Sequence, residues 1–507
     1  MKAQLFALAA ALGASVVGAA PSPDKHDYPT KPPHGKPEVT PEKLMKAIKL
    51  EKLLAGAQKL EDIAYATPER NRVFGGKGHN DTVEYLYKEL KKTGYYDVSK
   101  QEQVHLWSFS NQTLTVNGEK TEAETMTYSP GGDVTADIVL VKNLGCNAED
   151  FPAEVAGKVA LIVRGECEFG LKAANAGNAE AAGALIYNNV DGELSGTLGS
   201  PTNPAGPYPP TIGLSKAIGD DFASRLGSET LSANLNVYSR FENRTTFNVI
   251  ATTKTGNQDN VIALGAHSDS VEAGPGINDD GSGTIGNLIV AKALTKFSTP
   301  NAVRFLWWTA EEYGLLGSQY YVDSLSPEEI EKIRLYLNFD MTASPNYATL
   351  IYDGDGSTFN LTGPSGSSEI EAMFQGFYED QGLAHFPTEF DGRSDYDGFI
   401  SVGIPAGGVF TGAEGLKTEE QAAAYGGEAG VAYDINYHGA GDNMTNINHE
   451  GWLLNTKATA FSVAKYALST EDLPPKDPIP PPPTEKRSMS TERAERLCKA
   501  WKQRCTA

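Results

Sequence analysis

The second half of the sequence alternates between short apolar runs and segments with helical character, and this alternation limits the possible fold more than any other feature. From Thr246 onward, three runs are typical of buried strands (VIALGA, VRFLWWTA and LYLNFDM) and two of helices (GSGTIGNLIVAKALTKF and EEYGLLGSQYYVDSL). The pattern predicts an α/β fold, with a mostly parallel sheet sandwiched by helices. Ligands of such folds bind at the carboxyl ends of the strands.

Residues with metal-binding or acid–base side chains follow this pattern in the order His, Asp, Glu, Glu, Asp, His. Four of them end or follow apolar strands, so we expect them to meet at one edge of the sheet. Mixed histidine and carboxylate ligands suit Zn²⁺, and the order predicts a site for two metal ions. The six residues are His267, Asp279, Glu311, Glu312, Asp340 and His438.

The sequence around the first two residues suggests separate roles for them. Asp269 follows His267 by two positions and can accept a hydrogen bond from the ring nitrogen that does not bind metal. Asp279 lies in the glycine-rich segment GPGINDDGSG, where a carboxylate can bridge two ions about 3.5–4 Å apart. Its neighbour Asp280 is suited to the lesser role of capping the helix that follows.

Two adjacent glutamates follow VRFLWWTA, where negative charges are unfavourable unless a cation or a proton compensates them. Because neighbouring side chains diverge, we predict that Glu312 binds a metal ion and that Glu311 acts as a general base on the attacking water. Asp340 ends LYLNFD and can be the terminal carboxylate on the second ion. His438, in YHGAGDNMTNIN, would complete the set of ligands, whereas its rival His449 lacks this setting.

The first half of the chain predicts helices followed by an inserted domain. Apolar residues recur at helical spacing from Pro41 to about Thr93, which predicts two or three helices. Residues 122–234 change to short β runs (ADIVLV and KVALIVRG) and a Gly/Pro-rich loop, which indicates an inserted β-rich domain. Within it, we predict that LKAANAGNAEAAGALIYNN forms one alanine-rich helix.

Both ends of the chain differ in composition from its body. In residues 1–20 a lysine precedes a short apolar run that ends in small residues, which is typical of a secretory signal peptide. Residues 21–40 are predicted to be a disordered leader or pro-segment. Residues 471–487 form a Pro-rich linker, and residues 488–507 form a basic tail.

Secretion would expose the cysteines to an oxidising compartment and make glycosylation possible. We predict local disulfides between Cys146 and Cys167 and between Cys498 and Cys505. The second pair would be about 10 Å apart on a continuous helix and requires the tail to bend. Five Asn-x-Thr triplets are candidate glycosylation sites. They begin at Asn80, Asn111, Asn243, Asn360 and Asn443.

Charge and hydropathy exclude two classes of partner. The formal net charge of −22 repels nucleic acids and anionic membranes at long range. After the predicted signal peptide, no segment approaches the roughly 20 apolar residues of a membrane span. We therefore expect neither nucleic acid nor membrane as a partner, and we expect a monomer.

The motifs in residues 246–470 resemble the secreted or vacuolar co-catalytic zinc aminopeptidases of the aminopeptidase Y and fungal leucine aminopeptidase type. The matching motifs are HSD, GxNDxGSG, AEExGLxGS, NxD and YHxxxD. The turn RGECEF also resembles part of the protease-associated domain that is inserted in several exopeptidases. The resemblance implies a zinc exopeptidase fold at residues 41–121 and 235–470, interrupted by a protease-associated domain at residues 122–234. That insertion would be a lid or substrate-size filter, or purely structural.

The resemblance also implies two Zn²⁺ ions per chain and a role for each site residue. Asp279 would be shared, Glu311 would carry protons, and the terminal ligands would be His267, Glu312, Asp340 and His438. Tyr437 would help to stabilise the oxyanion, and Arg393 and Asp395 of GRSDYDGF would contact the substrate. Several relatives have a cysteine where this chain has Gly441, so a loop disulfide is missing here.

The reaction implied by this family is hydrolysis of N-terminal residues from peptides outside the cell, or alternatively in a vacuole, with preference for leucine and other apolar residues. Carboxypeptidases of the same fold use the same ligands, but they need a basic pocket for the substrate carboxylate. An aminopeptidase instead needs acidic groups that bind the ammonium of the substrate N-terminus. The acidic composition of this chain therefore favours an aminopeptidase over a carboxypeptidase. A non-catalytic receptor-like homologue typically loses metal ligands, and none is lost here. A glutaminyl-cyclase-like transferase is disfavoured by the inserted domain and by the complete ligand set.

Overall fold

The structure, a computed structural model, describes residues 35–478. The predicted signal peptide, most of the leader and linker, and the basic tail with Cys498 and Cys505 lie outside these residues. Within them, no helix is both long and apolar enough to cross a membrane. The helices are α1 (Pro41–Ala47), α2 (Leu50–Tyr65), α3 (Lys77–Lys91), α4 (Phe169–Asn178), α5 (Lys216–Arg225), α6 (Gly281–Leu294), α7 (Leu316–Asp323), α8 (Pro327–Lys332), α9 (Ser367–Glu379), α10 (Tyr396–Ser401), α11 (Glu419–Tyr425) and α12 (His449–Leu468).

The strands belong to one extended sheet that runs through the peptidase region and the insertion. They are β1 (Tyr96–Val116), β2 (Glu119–Thr121), β3 (Glu124–Thr127), β4 (Gly132–Leu140), β5 (Val159–Val163), β6 (Gly183–Tyr187), β7 (Gly196–Thr197), β8 (Thr211–Leu214), β9 (Ser232–Thr253), β10 (Asn257–His267), β11 (Asn301–Trp308), β12 (Ile333–Phe339), β13 (Leu350–Tyr352), β14 (Phe386–Thr388) and β15 (Ala406–Phe410).

The centre of the peptidase sheet is parallel, as predicted, and its flanks are mixed. Strands β11, β10, β12 and β15 are parallel neighbours. On either side, β9 is antiparallel to β11 and β13 is antiparallel to β15. His267 ends β10, Asp340 directly follows β12, and Glu311 follows β11. The parallel strands therefore bring these three residues to one edge of the sheet.

Helices cover both faces of the central strands, which explains why the strand sequences are continuously apolar. Successive residues of a strand point to opposite faces. Phe305 and Trp307 of β11 belong to the core shared with α6 and α12, whereas Leu306 and Trp308 belong to the core shared with α7 and α10. The three helices predicted before the insertion, α1 to α3, pack into the first of these cores.

The helix predicted for EEYGLLGSQYYVDSL begins later in the structure than the sequence predicts. Its first residues, Glu311–Tyr313, form a 3-10 turn, and α7 begins only at Leu316. Ala310 and Leu315 have φ angles of 53° and 59°, a left-handed conformation that a right-handed helix cannot include. The side chain of Asn248 accepts a hydrogen bond from the amide of residue 309 and donates one to the carbonyl of residue 317. These tertiary bonds override the local helix propensity.

The inserted domain contains its own run of parallel strands, β4, β5, β6 and β8, with separate apolar cores. The predicted single helix LKAANAGNAEAAGALIYNN is wrong in its second half, because α4 ends at Asn178 and β6 begins at Gly183. Glu180 interrupts the helix with a φ angle of 59°. The run GALIY is buried between β5 and β8, a setting that favours a strand.

Two long antiparallel strands connect the inserted domain to the peptidase sheet. Strands β1 and β9 pair residue by residue from Tyr96 with Thr253 to Val116 with Ala233. Strand β9 also pairs with β11 at residues 249–252 and with β4 at residues 232–237. The insertion is thus an extension of the peptidase sheet.

The predicted disulfide between Cys146 and Cys167 is present in the inserted domain and spans 21 residues. Replacing both cysteines with serine should destabilise this domain by about 3 kcal/mol, because a loop of that size gains entropy in the unfolded chain. Hydrogen exchange of the β4–β6 amides would measure the change. Neither cysteine lines the pocket described below, so hydrolysis of a small substrate serves as the control. Unchanged exchange would contradict this prediction.

Candidate metal centre and active site

The structure brings five of the six predicted residues into two groups that share Asp279. In the first group, His267 Nε2 lies 3.1 Å from Asp279 Oδ1 and 3.4 Å from Asp340 Oδ1. In the second, His438 Nε2 lies 3.3 Å from Asp279 Oδ2 and 2.9 Å from Glu312 Oε2. The two oxygens of Asp279 therefore face different histidines, which is the arrangement of a carboxylate that bridges two ions.

The sixth residue, Glu311, lies beside the first group. Its Oε2 is 3.8 Å from His267 Nε2, and only 8% of the residue is exposed. Burial raises the pKa of Glu311 well above its usual range, and the carboxylates of Asp340 and Asp395 raise it further, although His267 opposes them. A buried carboxyl group beside the proposed ligands lies where it can exchange a proton with a water molecule at the site.

The charge and hydrogen bonding of both groups fit divalent cations. Within residues 35–478, the buried atoms Glu312 Oε1 and Asp340 Oδ1 have no hydrogen-bond partner, which is unfavourable for carboxylates unless a cation pairs with them. Burial alone would lower the pKa of His438, but the carboxylates of Glu312 and Asp279 raise it to about 10. Ligand atoms of His267, Asp279 and Glu312 lie within 4.8 Å of one another, and so do those of His267, Glu311 and Asp340. These residues can therefore hold metal ions.

The two aspartates predicted to support the site have different partners. His267 Nδ1 lies 3.7 Å from Asp269 Oδ1, which is longer than a hydrogen bond, so the bond predicted between them is not formed. Asp269 Oδ1 instead accepts a hydrogen bond from the amide of Glu311 at 3.2 Å. Asp280 caps α6 as predicted, since it accepts from the amide of Gly283 at 2.8 Å.

Sequence reasoning missed a serine that contacts a predicted ligand. Ser394 Oγ donates to Asp340 Oδ2 at 2.6 Å and accepts from Asn338 Nδ2 at 2.8 Å. The available signal was Asn338, a polar residue within the otherwise apolar strand β12. Ser394 therefore fixes the orientation of the Asp340 carboxylate.

The loop that carries His438 is held by hydrogen bonds to Asp442. The side chain of Asp442 accepts from the backbone amides of Asn278 and Asp279 at 2.8 and 3.0 Å, which joins this loop to the segment with the shared carboxylate. No disulfide is formed at Gly441, where an added Cβ would lie 2.1 Å from Asn436 Oδ1. The rival His449 is exposed at the start of α12, outside both groups.

The residues predicted to contact the substrate have different environments. Arg393 and Tyr437 line a pocket beside the two groups, and Arg393 Nη2 donates to the Tyr437 hydroxyl at 3.2 Å. The ring of Tyr437 stacks on His438, with centroids 3.9 Å apart. Asp395 does not line this pocket and is only 1% exposed. The substrate contact by Asp395 stays a prediction, and the side chain is buried at the start of α10.

The pocket combines apolar and acidic side chains. Glu389 and Asp391 contribute carboxylates to its lining. The charge of Arg393 is paired with Glu414, whose Oε1 lies 3.0 Å from Arg393 Nη1. The pocket thus suits an ammonium group and an apolar side chain better than a carboxylate. Its apolar lining consists of Leu315, Met341, Tyr352, Phe410 and Ala413.

The candidate glycosylation sites differ in accessibility. Asn111, Asn243 and Asn360 are exposed. Asn443 is half-buried, and its Oδ1 accepts from Thr445. Asn80 lies inside α3 and donates to the carbonyl of residue 75, which makes it a poorer acceptor for a glycan. Glycosylation of these residues stays a prediction.

Comparison with known proteins identifies the family. Residues 248–462 match Peptidase family M28, and residues 134–222 match the PA domain. A probable leucine aminopeptidase 2 of Aspergillus oryzae is 61% identical over 440 residues, which cover 87% of this chain and 89% of that protein. Leucine aminopeptidase 2 of Arthroderma otae is 56% identical over 491 residues, which cover 97% and 96%.

Solved structures agree with this assignment. An aminopeptidase from Aneurinibacillus sp. strain AM-1 has a TM-score of 0.66 and 30% identity, and the match covers 87% of this chain and 98% of that one. BSAP, a zinc aminopeptidase from Bacillus subtilis, has a TM-score of 0.60 and 25% identity, with 81% and 95% covered. The chain therefore belongs to peptidase family M28, with an inserted PA domain, and is a metallo-aminopeptidase.

Proposed function

We propose that this aminopeptidase binds two Zn²⁺ ions that share Asp279. The observation that carries the proposal is that each oxygen of Asp279 faces a different histidine. His267 and Asp340 would complete the ligands of one ion, and His438 and Glu312 those of the other. Support for zinc comes from the mixed histidine and carboxylate ligands and from the zinc aminopeptidase of Bacillus subtilis.

Glu311 is proposed as the general base of the reaction. Zinc held by these residues would supply Lewis acidity to the site. The Glu311 carboxylate would take the proton of the attacking water and pass it to the leaving amine. Tyr437 is proposed to stabilise the oxyanion, because it lines the pocket and stacks on His438.

The substrates are proposed to be peptides with a free N-terminus, and the preferred N-terminal residues to be leucine and other apolar residues. The apolar lining supports that preference, and Glu389 and Asp391 provide negative charge for the ammonium. The relatives named leucine aminopeptidase 2 support the same preference. A carboxypeptidase is the second candidate, but Arg393 is already paired with Glu414.

We further propose that the protein is secreted, or alternatively vacuolar, and acts as a monomer. The predicted signal peptide at residues 1–20 supports secretion, and the disulfide of the inserted domain suits an oxidising compartment. The inserted domain is proposed to limit substrate size. N-terminal sequencing of protein from culture medium tests secretion, and protein that is retained inside the cell with residues 1–20 attached would reject it.

The function is tested with zinc-loaded protein on a panel of amino-acid anilides and on peptides blocked at either end. We expect leucine anilide to be hydrolysed with a higher kcat/KM than acidic anilides. Acetylation of the N-terminus should abolish hydrolysis of a peptide, whereas amidation of its C-terminus should not. The reverse result would exclude an aminopeptidase, and one zinc ion per active chain would exclude the two-ion site.

Replacing Ser394 with alanine should weaken zinc binding about tenfold, because Asp340 loses the hydrogen bond that orients it. Competition with a chromophoric chelator measures the affinity. The matched control is Ser401→Ala at the end of α10, where the hydroxyl donates to the carbonyl of residue 398. Equal zinc affinities of the two variants would show that Ser394 does not support a ligand.

A further inference from the structure

An arginine from the N-terminal part of the chain, Arg72, lies fully buried under the loop that joins His267 to Asp279. Its exposed fraction is 0%, and it belongs to neither α2 nor α3. Burying a guanidinium is unfavourable unless hydrogen bonds and charges compensate it. The contacts of Arg72 therefore indicate what the arginine stabilises.

The guanidinium of Arg72 donates to backbone carbonyls at both ends of this loop. Nη1 donates to the carbonyl of Ser268, directly after the first histidine ligand. Nε donates to Pro275 at 2.8 Å, and Nη2 donates to Gly276 at 2.5 Å. A planar guanidinium holds several acceptors in one fixed geometry, which a lysine ammonium does not. Arg72 thereby fixes the separation of the two ends of the loop.

The loop is shaped to approach this guanidinium closely. Gly276 has a φ angle of 61°, which favours glycine. A Cβ at this position would lie 2.3 Å from the carbonyl oxygen of Asp279 and 3.2 Å from Nη2 of Arg72. The backbone that leads to the shared carboxylate therefore packs directly against the arginine.

The charge of Arg72 lies among the carboxylates of the site. Burial lowers the pKa of the guanidinium, and the carboxylates of Asp269, Asp442, Asp280 and Asp279 oppose this effect. Because its hydrogen bonds go to carbonyl groups, Arg72 leaves the carboxylate oxygens available to metal ions. It thus compensates part of the negative charge without occupying a ligand atom.

A second buried residue of the same segment contacts the loop at Ser268. The hydroxyl of Ser268 donates to the carbonyl of Trp308 at 2.7 Å, so its oxygen accepts a hydrogen bond from His79 Nε2 at 3.0 Å. Arg72 contacts the carbonyl of the same serine. The segment before and within α3 therefore holds the end of β10 through both polar groups of Ser268.

We propose that Arg72 is a positioning residue of the metal centre. It holds His267 and Asp279 at the separation required to bind two ions that share Asp279. The inference rests on the two-ion function proposed above. Arg72 itself contacts neither the substrate nor the reacting atoms. Its loss should change the geometry and affinity of the site more than it changes the fold.

The test compares the wild type with Arg72→Lys, which keeps the charge, and Arg72→Met, which keeps only the bulk. We expect both variants to bind zinc about 10- to 100-fold more weakly in a chelator competition. The visible absorption of Co²⁺-substituted protein, which reports ligand geometry, should also change. The matched control is Arg304→Met, since Arg304 is a half-buried arginine that bonds Thr252 and Tyr321. It should keep the zinc affinity and the Co²⁺ spectrum even if its melting temperature falls.

A folded Arg72→Lys variant with wild-type zinc affinity and Co²⁺ spectrum would overturn the proposal. If neither Arg72 variant folds in excess metal ion, Arg72 supports the whole fold and the positioning role is rejected. If the wild type itself does not bind two ions, the function proposed above fails, whatever the variants do.

Discussion

Replacing Glu311 with glutamine is expected to lower kcat by about 10²- to 10⁴-fold, while the bound zinc and KM change little. Glutamine has the shape of glutamate but cannot take a proton from water. The nearest carboxylate oxygens to His267 Nε2 belong to Asp279 and Asp340, at 3.1 and 3.4 Å. The oxygen of Glu311 is farther away, at 3.8 Å. The variant should therefore keep its metal ions and lose the proton carrier.

The adjacent residue provides the matched control for this variant. Glu312→Gln changes the same chemical group one position away, but it removes a carboxylate that lies 2.9 Å from His438 Nε2. We expect this variant to lose zinc affinity as well as turnover. Steady-state kinetics with leucine anilide and metal analysis of the same samples separate the two effects. If zinc-loaded Glu311→Gln keeps a near-normal rate, Glu311 is not the base, and if it loses zinc, Glu311 is a ligand.

Replacing Asp279 with asparagine should remove both ions together and reduce turnover to background. The carboxylate offers one oxygen to each histidine, and a bridging negative charge offsets the repulsion between two cations about 3.5–4 Å apart. Asparagine provides one acceptor oxygen and no charge. Metal analysis after equilibration with a zinc buffer should therefore find neither ion at concentrations that saturate the wild type.

The control for Asp279 is an acidic residue of the same pocket that is not a proposed ligand. Glu389 lines the pocket, so Glu389→Gln removes one negative charge and leaves both groups intact. This variant should bind two zinc ions and can differ from the wild type in KM. Wild-type zinc content and affinity in Asp279→Asn would show that the carboxylate does not bridge.

The sequence was sufficient to predict the central strands and the residues that follow them. Buried parallel strands have continuous apolar sequences, and the polar residue at the end of such a strand stands out. This contrast predicts His267 and Asp340 as site residues. In the structure His267 Nε2 lies 3.4 Å from Asp340 Oδ1. Asp279 needed the glycine-rich segment as a further signal, because it lies in a loop.

Other features depend on contacts that local sequence does not contain. The helix expected from Glu311 is replaced by a turn because Asn248, far away in the chain, bonds both sides of it. The strand GALIY was predicted as helix because short apolar runs fit either structure, and only its neighbours β5 and β8 decide between them. The carbonyl group that Arg72 contacts at Ser268 is 196 positions away.

The paired strands β1 and β9 restrict how the inserted domain can move relative to the peptidase sheet. Since every residue from Tyr96 to Val116 has a partner in β9, the insertion lies at the end of a lengthened hairpin and is not joined by loops. Any movement of the inserted domain toward the pocket must bend the β1–β9 pair, so the stiffness of these two strands limits the range of that movement.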